Sequence, residues 1–128
     1  MQKTLRLRRY GALFALIAVI LGAFGAHALK GTLIENGTFS TWETAVRYQM
    51  WHALALILLS LMPEQQQAPR LTGNCFIVGI LLFSGSLYPL ALGGPSWLGP
   101  ITPLGGLCLI IGWVRLARSC TAKNILQG

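Results

Sequence analysis

Negative charge is nearly missing from this sequence. Among 128 residues there are three acidic side chains, Glu35, Glu43 and Glu64, against ten Lys and Arg. Three scattered carboxylates supply neither a paired general acid and base nor a carboxylate cage for a hard metal ion. Charge of either sign is scarce, at 10% of residues, where soluble domains carry about a quarter. A small water-facing fold has a large surface to cover with polar groups, and this chain has too few of them. Cysteine is sparse as well: Cys75, Cys108 and Cys120 are odd in number, widely spaced and in no C-x-x-C arrangement. That excludes a disulfide framework and a zinc site. No H-E-x-x-H, G-x-S-x-G or Cys/His constellation occurs. The net charge of +7 does not indicate nucleic acid, because the basic residues flank apolar runs and no aromatic-interleaved patch accompanies them.

Apolar residues (54%) and 15 glycines fill the space instead. The first long run, Gly11 to Leu29, follows Lys3, Arg6, Arg8 and Arg9. Ala26-His27-Ala28 matches the A-x-A pattern of a signal-peptidase site, yet the run exceeds the roughly 7–15 residues of a signal core. A retained helix over about 10–29 is expected. Asn36-Gly37 marks a tight turn, and Asn36-Gly37-Thr38 is a glycosylation sequon relevant only in a eukaryotic secretory pathway. Ser40-Thr41-Trp42-Glu43 reads as a capping box that opens a second helix over 41–62, stopped by Pro63. Residues 63–71 form a polar loop. A third helix is expected over 72–92, bent near its end by Pro89. After a Gly/Pro turn, Thr102 as cap and Pro103 at the first helical position open a fourth helix over 103–118, followed by a loose tail, 119–128.

The expectation is an all-α membrane protein, a single domain of four transmembrane helices with both termini cytoplasmic. Eight basic residues (Lys3, Arg6, Arg8, Arg9, Arg70, Arg115, Arg118 and Lys123) fall on one side of such a topology and only Lys30 and Arg47 on the other. That asymmetry places the richer side in the cytoplasm. Trp42, Trp51, Trp97 and Tyr88 are expected near the outer boundary as an aromatic belt. Small residues form stripes at helical spacing: Gly11, Ala15, Ala18, Gly22, Gly25 and Ala26 on the first helix, and Gly105, Cys108, Gly112 and Ser119 on the fourth. These are expected to be helix–helix contact faces.

The polar chemistry concentrates on the second helix. Thr41, Ala45, Tyr48, Gln49, His52 and Ser60 share one broad face, whereas Glu43 and Arg47 form an i,i+4 pair on another. Counting at 1.5 Å per residue puts His52 about 15 Å from the inner boundary. Ser84, Ser86 and Tyr88 of the third helix lie from mid-membrane outward, as does His27. The candidate polar pocket is therefore His52, Gln49, Tyr48, Ser84, Ser86, Tyr88 and His27, expected to open outward. Two readings of His52 stand side by side: interhelical glue bonded to Ser84 or a carbonyl, and a ligand-contacting group. Arg47 with Glu43 reads as a structural ion pair or a lipid-headgroup contact. Haem between His27 and His52 is excluded by their difference in depth, about 12 Å. No cofactor and no metal are expected.

Four segments carry a resemblance: GAFGAHAL (Gly22 to Leu29), WETAVRYQMWHALAL (Trp42 to Leu56), LLFSGSLYPLAL (Leu81 to Leu92) and GPITPLGGLCLIIGW (Gly99 to Trp113). In this order they resemble the domain-of-unknown-function 423 family of small bacterial inner-membrane proteins, similar to the eukaryotic transmembrane protein 256. The resemblance implies a four-helix membrane protein of uncharacterised function and transfers no catalytic or ligand-binding residue. The functional expectation is a non-enzymatic binding or accessory component that meets the lipid bilayer and a homo-oligomer or larger membrane complex. The alternative is an oligomeric small transporter or channel that uses the polar pocket.

Overall fold

The computed structural model describes residues 2–62 and 70–126, with side-chain detail wanting at Lys3 and beyond Ser119. Most of the expected loop 63–71 and the last residues of the tail therefore lie outside the described residues. Within them all regular structure is helical: α1 (Gln2–Ala26), α2 (Lys30–Glu35), α3 (Phe39–Leu61), α4 (Arg70–Ala91) and α5 (Ile101–Leu126), with one 3-10 turn at Ser96–Leu98.

Three segments are long and apolar enough to cross a membrane: Thr4–Ala26, Arg70–Ala91 and Ser96–Ser119. The expected fourth span, α3, has the length, at 23 residues, but not the apolarity. Glu43, Arg47, Gln49 and His52 dilute it. Its position explains the tolerance for polar groups, because α3 packs along α1 on one side and α4 on the other. Trp42, Ala45, Gln49, His52, Ala53, Leu56 and Ser60 are buried along it.

All three seams are antiparallel. Gly11 of α1 abuts Ala53 and Ile57 of α3, while Gly25 lies under Trp42. Between α4 and α5 the pairs run Gly112 with Phe76, Gly79 with Leu109 and Gly105 with Phe83. Lipid tails are as apolar as leucine, so helices associate there through close packing and hydrogen bonds rather than through escape from water. Two apolar clusters result. One joins Leu56, Leu59, Phe76, Ile80 and Leu109 toward the end carrying the N-terminus. The other joins Leu33, Trp42 and Ala91 at the opposite end.

Several local expectations need correction. The chain leaves α1 at Ala26, and the short helix α2 then folds back with Leu33 fully buried. Asn36-Gly37 ends that helix instead of making an isolated turn. Gly37 has φ 66°, Gly37 N–H donates to Ile34 O (3.0 Å) and Thr38 N–H to Leu33 O (2.8 Å), a Schellman cap that needs a residue tolerant of positive φ. Gly93 (φ 81°) closes α4 in the same way, and Gly94 N–H donates to Pro89 O at 2.8 Å. The helix α4 runs through Pro89 to Ala91.

The capping box at Ser40 and Glu43 does not form, because α3 begins at Phe39 after Thr38. Thr38 does not cap its own helix either. Its hydroxyl donates to Ala91 O at 2.6 Å, taking one of the carbonyls left unpaired at the end of α4. The start of α5 likewise lies at Ile101, with Thr102 inside the helix and turned to Ser86. The tail expected to be loose is helical to Leu126.

Candidate functional site

A polar band crosses the molecule between the two apolar clusters, and α3 supplies its centre. Gln49 is 3% exposed, so both ends of its amide need partners. Its Nε2 donates to Phe14 O of α1 at 2.9 Å, and its Oε1 accepts from the Tyr88 hydroxyl of α4 at 2.8 Å. One side chain thereby ties three helices together. Beside it, Ser84 Oγ donates to Ala45 O at 2.7 Å. Trp42 Nε1 donates to Leu21 O at 2.9 Å while its ring meets Tyr88 edge-on, 4.9 Å between centroids.

His52, one turn further along α3, is 5% exposed and faces α5. The Trp113 indole N–H donates to His52 Nε2 at 2.9 Å, and His52 Nδ1 lies 2.6 Å from Tyr48 O. An indole nitrogen can only donate, so Nε2 must accept and Nδ1 carries the proton toward the carbonyl. That arrangement selects the neutral imidazole and leaves neither nitrogen free for a metal or haem. No group of three His, Cys, Asp or Glu side chains among the described residues could hold a metal ion.

The band therefore gathers His52, Gln49, Tyr48, Ser84 and Tyr88. It does not gather the whole sequence-based set. Ser86 faces α5 instead, where its Oγ lies 2.6 Å from Thr102 Oγ1. His27 is exposed in the turn after α1. His52 bonds Tyr48 O and Trp113 rather than Ser84, since Ser84 is already engaged with Ala45 O. Glu43 and Arg47 pair at 3.6 Å with both side chains largely exposed, away from the band. Of the expected aromatic belt, Trp42 and Tyr88 are interior donors, whereas Trp51 and Trp97 are exposed at 54% and 65%.

Next to His52 a groove of about 560 Å³ opens between α3 and α5 over Phe83. Tyr48, Trp51, Leu109, Ile110, Gly106 and Trp113 complete its walls. Its walls come from α3, α4 and α5.

Residues 21–106 match the family model described as "Protein of unknown function (DUF423)". The chain belongs to this family. It is 44% identical over 109 residues to the UPF0382 membrane protein YwdK of Bacillus subtilis, covering 83% of this chain and 88% of that one. A UPF0382 membrane protein of Schizosaccharomyces pombe is 41% identical over 110 residues, covering 82% and 92%. One of Haemophilus influenzae is 40% identical over 107 residues, covering 83% and 86%. No solved structure matches. With its apolar helices, the chain is a membrane protein of an uncharacterised family.

The family match ends at Gly106, before the residue that sequence reasoning missed, Trp113. The signal for it was present. An indole N–H in an apolar helix needs an acceptor, and the His52 ring was a candidate at comparable depth.

Proposed function

We propose that this protein is a non-enzymatic component of the bacterial inner membrane. It crosses the bilayer four times with both ends in the cytoplasm and presents the groove beside His52 to a membrane-embedded ligand or partner, alone, as a homo-oligomer or within a larger assembly. The observation that carries this reading is the engagement of the polar groups in the band around α3. Gln49, Ser84, Tyr88, Trp42 and both nitrogens of His52 are engaged by other atoms of the protein. Groups so engaged hold helices together and offer no free base or nucleophile. The groove is what remains open.

Four crossings are supported by α3 itself. Its 23 residues span about 34 Å at 1.5 Å each, enough for a hydrocarbon core of about 30 Å. It also lies antiparallel to two helices that are apolar enough to span. Orientation follows from charge: Arg6, Arg8, Arg9, Arg70, Arg115 and Arg118 gather at one end of the bundle, the arrangement of cytoplasmic ends. Among the described residues the interior is filled by Leu56, Phe76, Ile80 and Leu109, which favours a binding component over the transporter reading.

Reporter fusions test the topology. One at Gln66 should read cytoplasmic and one at Asn36 external; an external signal at Gln66 would sink the four-crossing arrangement. Affinity purification from native membranes in mild detergent, with cross-linking at Trp51→Cys, tests the binding role. A co-purifying component that protects the groove supports it, and ion or solute flux through the purified protein in liposomes would replace it with transport.

A further inference from the structure

The groove combines three properties that seldom coincide on a lipid-facing surface. It is aromatic: Tyr48 lies 4.8 Å from Phe83 and 5.1 Å from Trp51, and Trp113 lies 5.9 Å from His52, between centroids. It is deep, because Tyr48 stands nine residues into α3, about 13–14 Å from that helix end. It also holds a free donor, as the Tyr48 hydroxyl has no hydrogen-bond partner among the described residues. A hydroxyl facing hydrocarbon without an acceptor is costly. Phospholipid headgroups reach it less readily than they reach Arg47, since they sit at the interface and Tyr48 lines the groove. An acyl chain cannot relieve that cost, since methylene groups accept no hydrogen bond.

The molecules that can are apolar bodies dissolved in the bilayer core that carry a flat ring with carbonyl acceptors. From this we infer that the groove lined by Tyr48, Trp51, His52, Phe83, Gly106 and Trp113 binds the head of an isoprenoid quinone. The Tyr48 hydroxyl donates to a ring carbonyl, and the ring lies against the aromatic faces. Gly106 keeps the wall low where the head enters. A Cβ there would make ordinary contact with Phe83 at 3.6 Å, so a larger residue at this position fills the groove without disturbing the α4–α5 seam. The volume of about 560 Å³ lies within the range of small-molecule sites, about 300–1,000 Å³.

This inference rests on the groove being the binding surface, and its test separates the two claims. Decylubiquinone titrated into the protein in phosphatidylcholine nanodiscs should bind saturably. Tyr48→Phe and Gly106→Leu should each weaken binding by about tenfold, the equivalent of one net hydrogen bond for the first. Trp97→Phe, at an exposed site away from the groove, should bind as the parent does, and a thermal melt of every variant confirms that it is folded. Equal affinity in Tyr48→Phe, or equal binding of decylbenzene, which keeps ring and tail but lacks both carbonyls, would overturn the quinone assignment. If quinone fails to bind while a native-membrane component shields Trp51→Cys from labelling, the quinone class is wrong and the binding surface stands. Neither binding nor shielding would remove both.

Discussion

The two long seams of the molecule hold helices together by different means. Between α1 and α3 the contacts are stitched by side-chain donors that reach backbone carbonyls of the partner helix, Trp42 to Leu21 and Gln49 to Phe14. Between α4 and α5 Ser86 bonds Thr102, and the helices approach closely at Gly79, Gly105 and Gly112. In hydrocarbon neither seam gains much from apolar burial, so each relies on short-range terms: close approach in both, at Gly11 and Gly25 as at Gly79, Gly105 and Gly112, with more hydrogen bonding in the α1–α3 seam. The groove draws on α3 and on the glycine seam together: Tyr48, Trp51 and His52 come from α3, and Phe83, Gly106 and Trp113 from α4 and α5, with both nitrogens of His52 engaged.

Substitutions that widen the glycine seam should have the largest effect. At Gly105 a Cβ would meet the backbone of Leu82 and Phe83, which cannot swing aside, whereas at the next residue, Gly106, it finds only ordinary contact. Gly105→Leu should lower stability by about 1–3 kcal/mol or more, the range for overpacking, and Gly106→Ala should change it little. On the other seam Gly22→Leu should fall between them, since a Cβ there lies 3.3 Å from Val46. Ile20→Leu, on an exposed position, should be neutral. Thermal unfolding in one detergent ranks all four, and a neutral Gly105→Leu would refute the role given to close approach.

Breaking the stitched seam should cost less. Gln49→Leu removes two hydrogen bonds and strands the Tyr88 hydroxyl, with an expected loss of about 1–2 kcal/mol. Adding Tyr88→Phe should recover part of it by removing the stranded group. A double-mutant cycle by unfolding measures the coupling; strict additivity of the two changes would mean that the bond between them contributes nothing.

The smallest effect is expected at the Glu43–Arg47 pair, which belongs to neither seam. Both side chains are largely exposed, and isolated exposed pairs contribute little. Glu43→Gln should leave the unfolding midpoint unchanged within error at low and high salt. A marked, salt-sensitive loss would show that Arg47 depends on Glu43 for more than a surface contact.

Helical spacing foretold that Gln49 and His52 share a face of α3 and that Glu43 and Arg47 point elsewhere, because residues three or four apart lie one above another. The same spacing could not foretell that Ser86 turns to Thr102 while Ser84 turns to Ala45. The two serines lie only two residues apart in sequence, about 200° around the helix, and which neighbour occupies each direction is a property of the assembled bundle. The burial of Trp42 teaches the same point. Its place near a span end suggested a boundary residue, yet α2 folds back beside it, and Leu33, fully buried, shares its cluster. The Thr102 cap failed for a related reason: its hydroxyl was claimed by Ser86 on another helix.

What the sequence alone determined is therefore what depends on one helix at a time. Apolar run length specifies helices suited to a membrane, the Lys and Arg asymmetry marks one end, and the glycines at 37 and 93 mark chain reversals through a backbone conformation that other residues rarely adopt. Tertiary structure alone decided the partner of each donor, the placing of Trp113 against His52, and the opening of the groove between α3 and α5. Those depend on the rotation and register of one helix relative to the next. Both are set by the summed fit of small and large side chains along each seam, a sum that no single stretch of sequence contains.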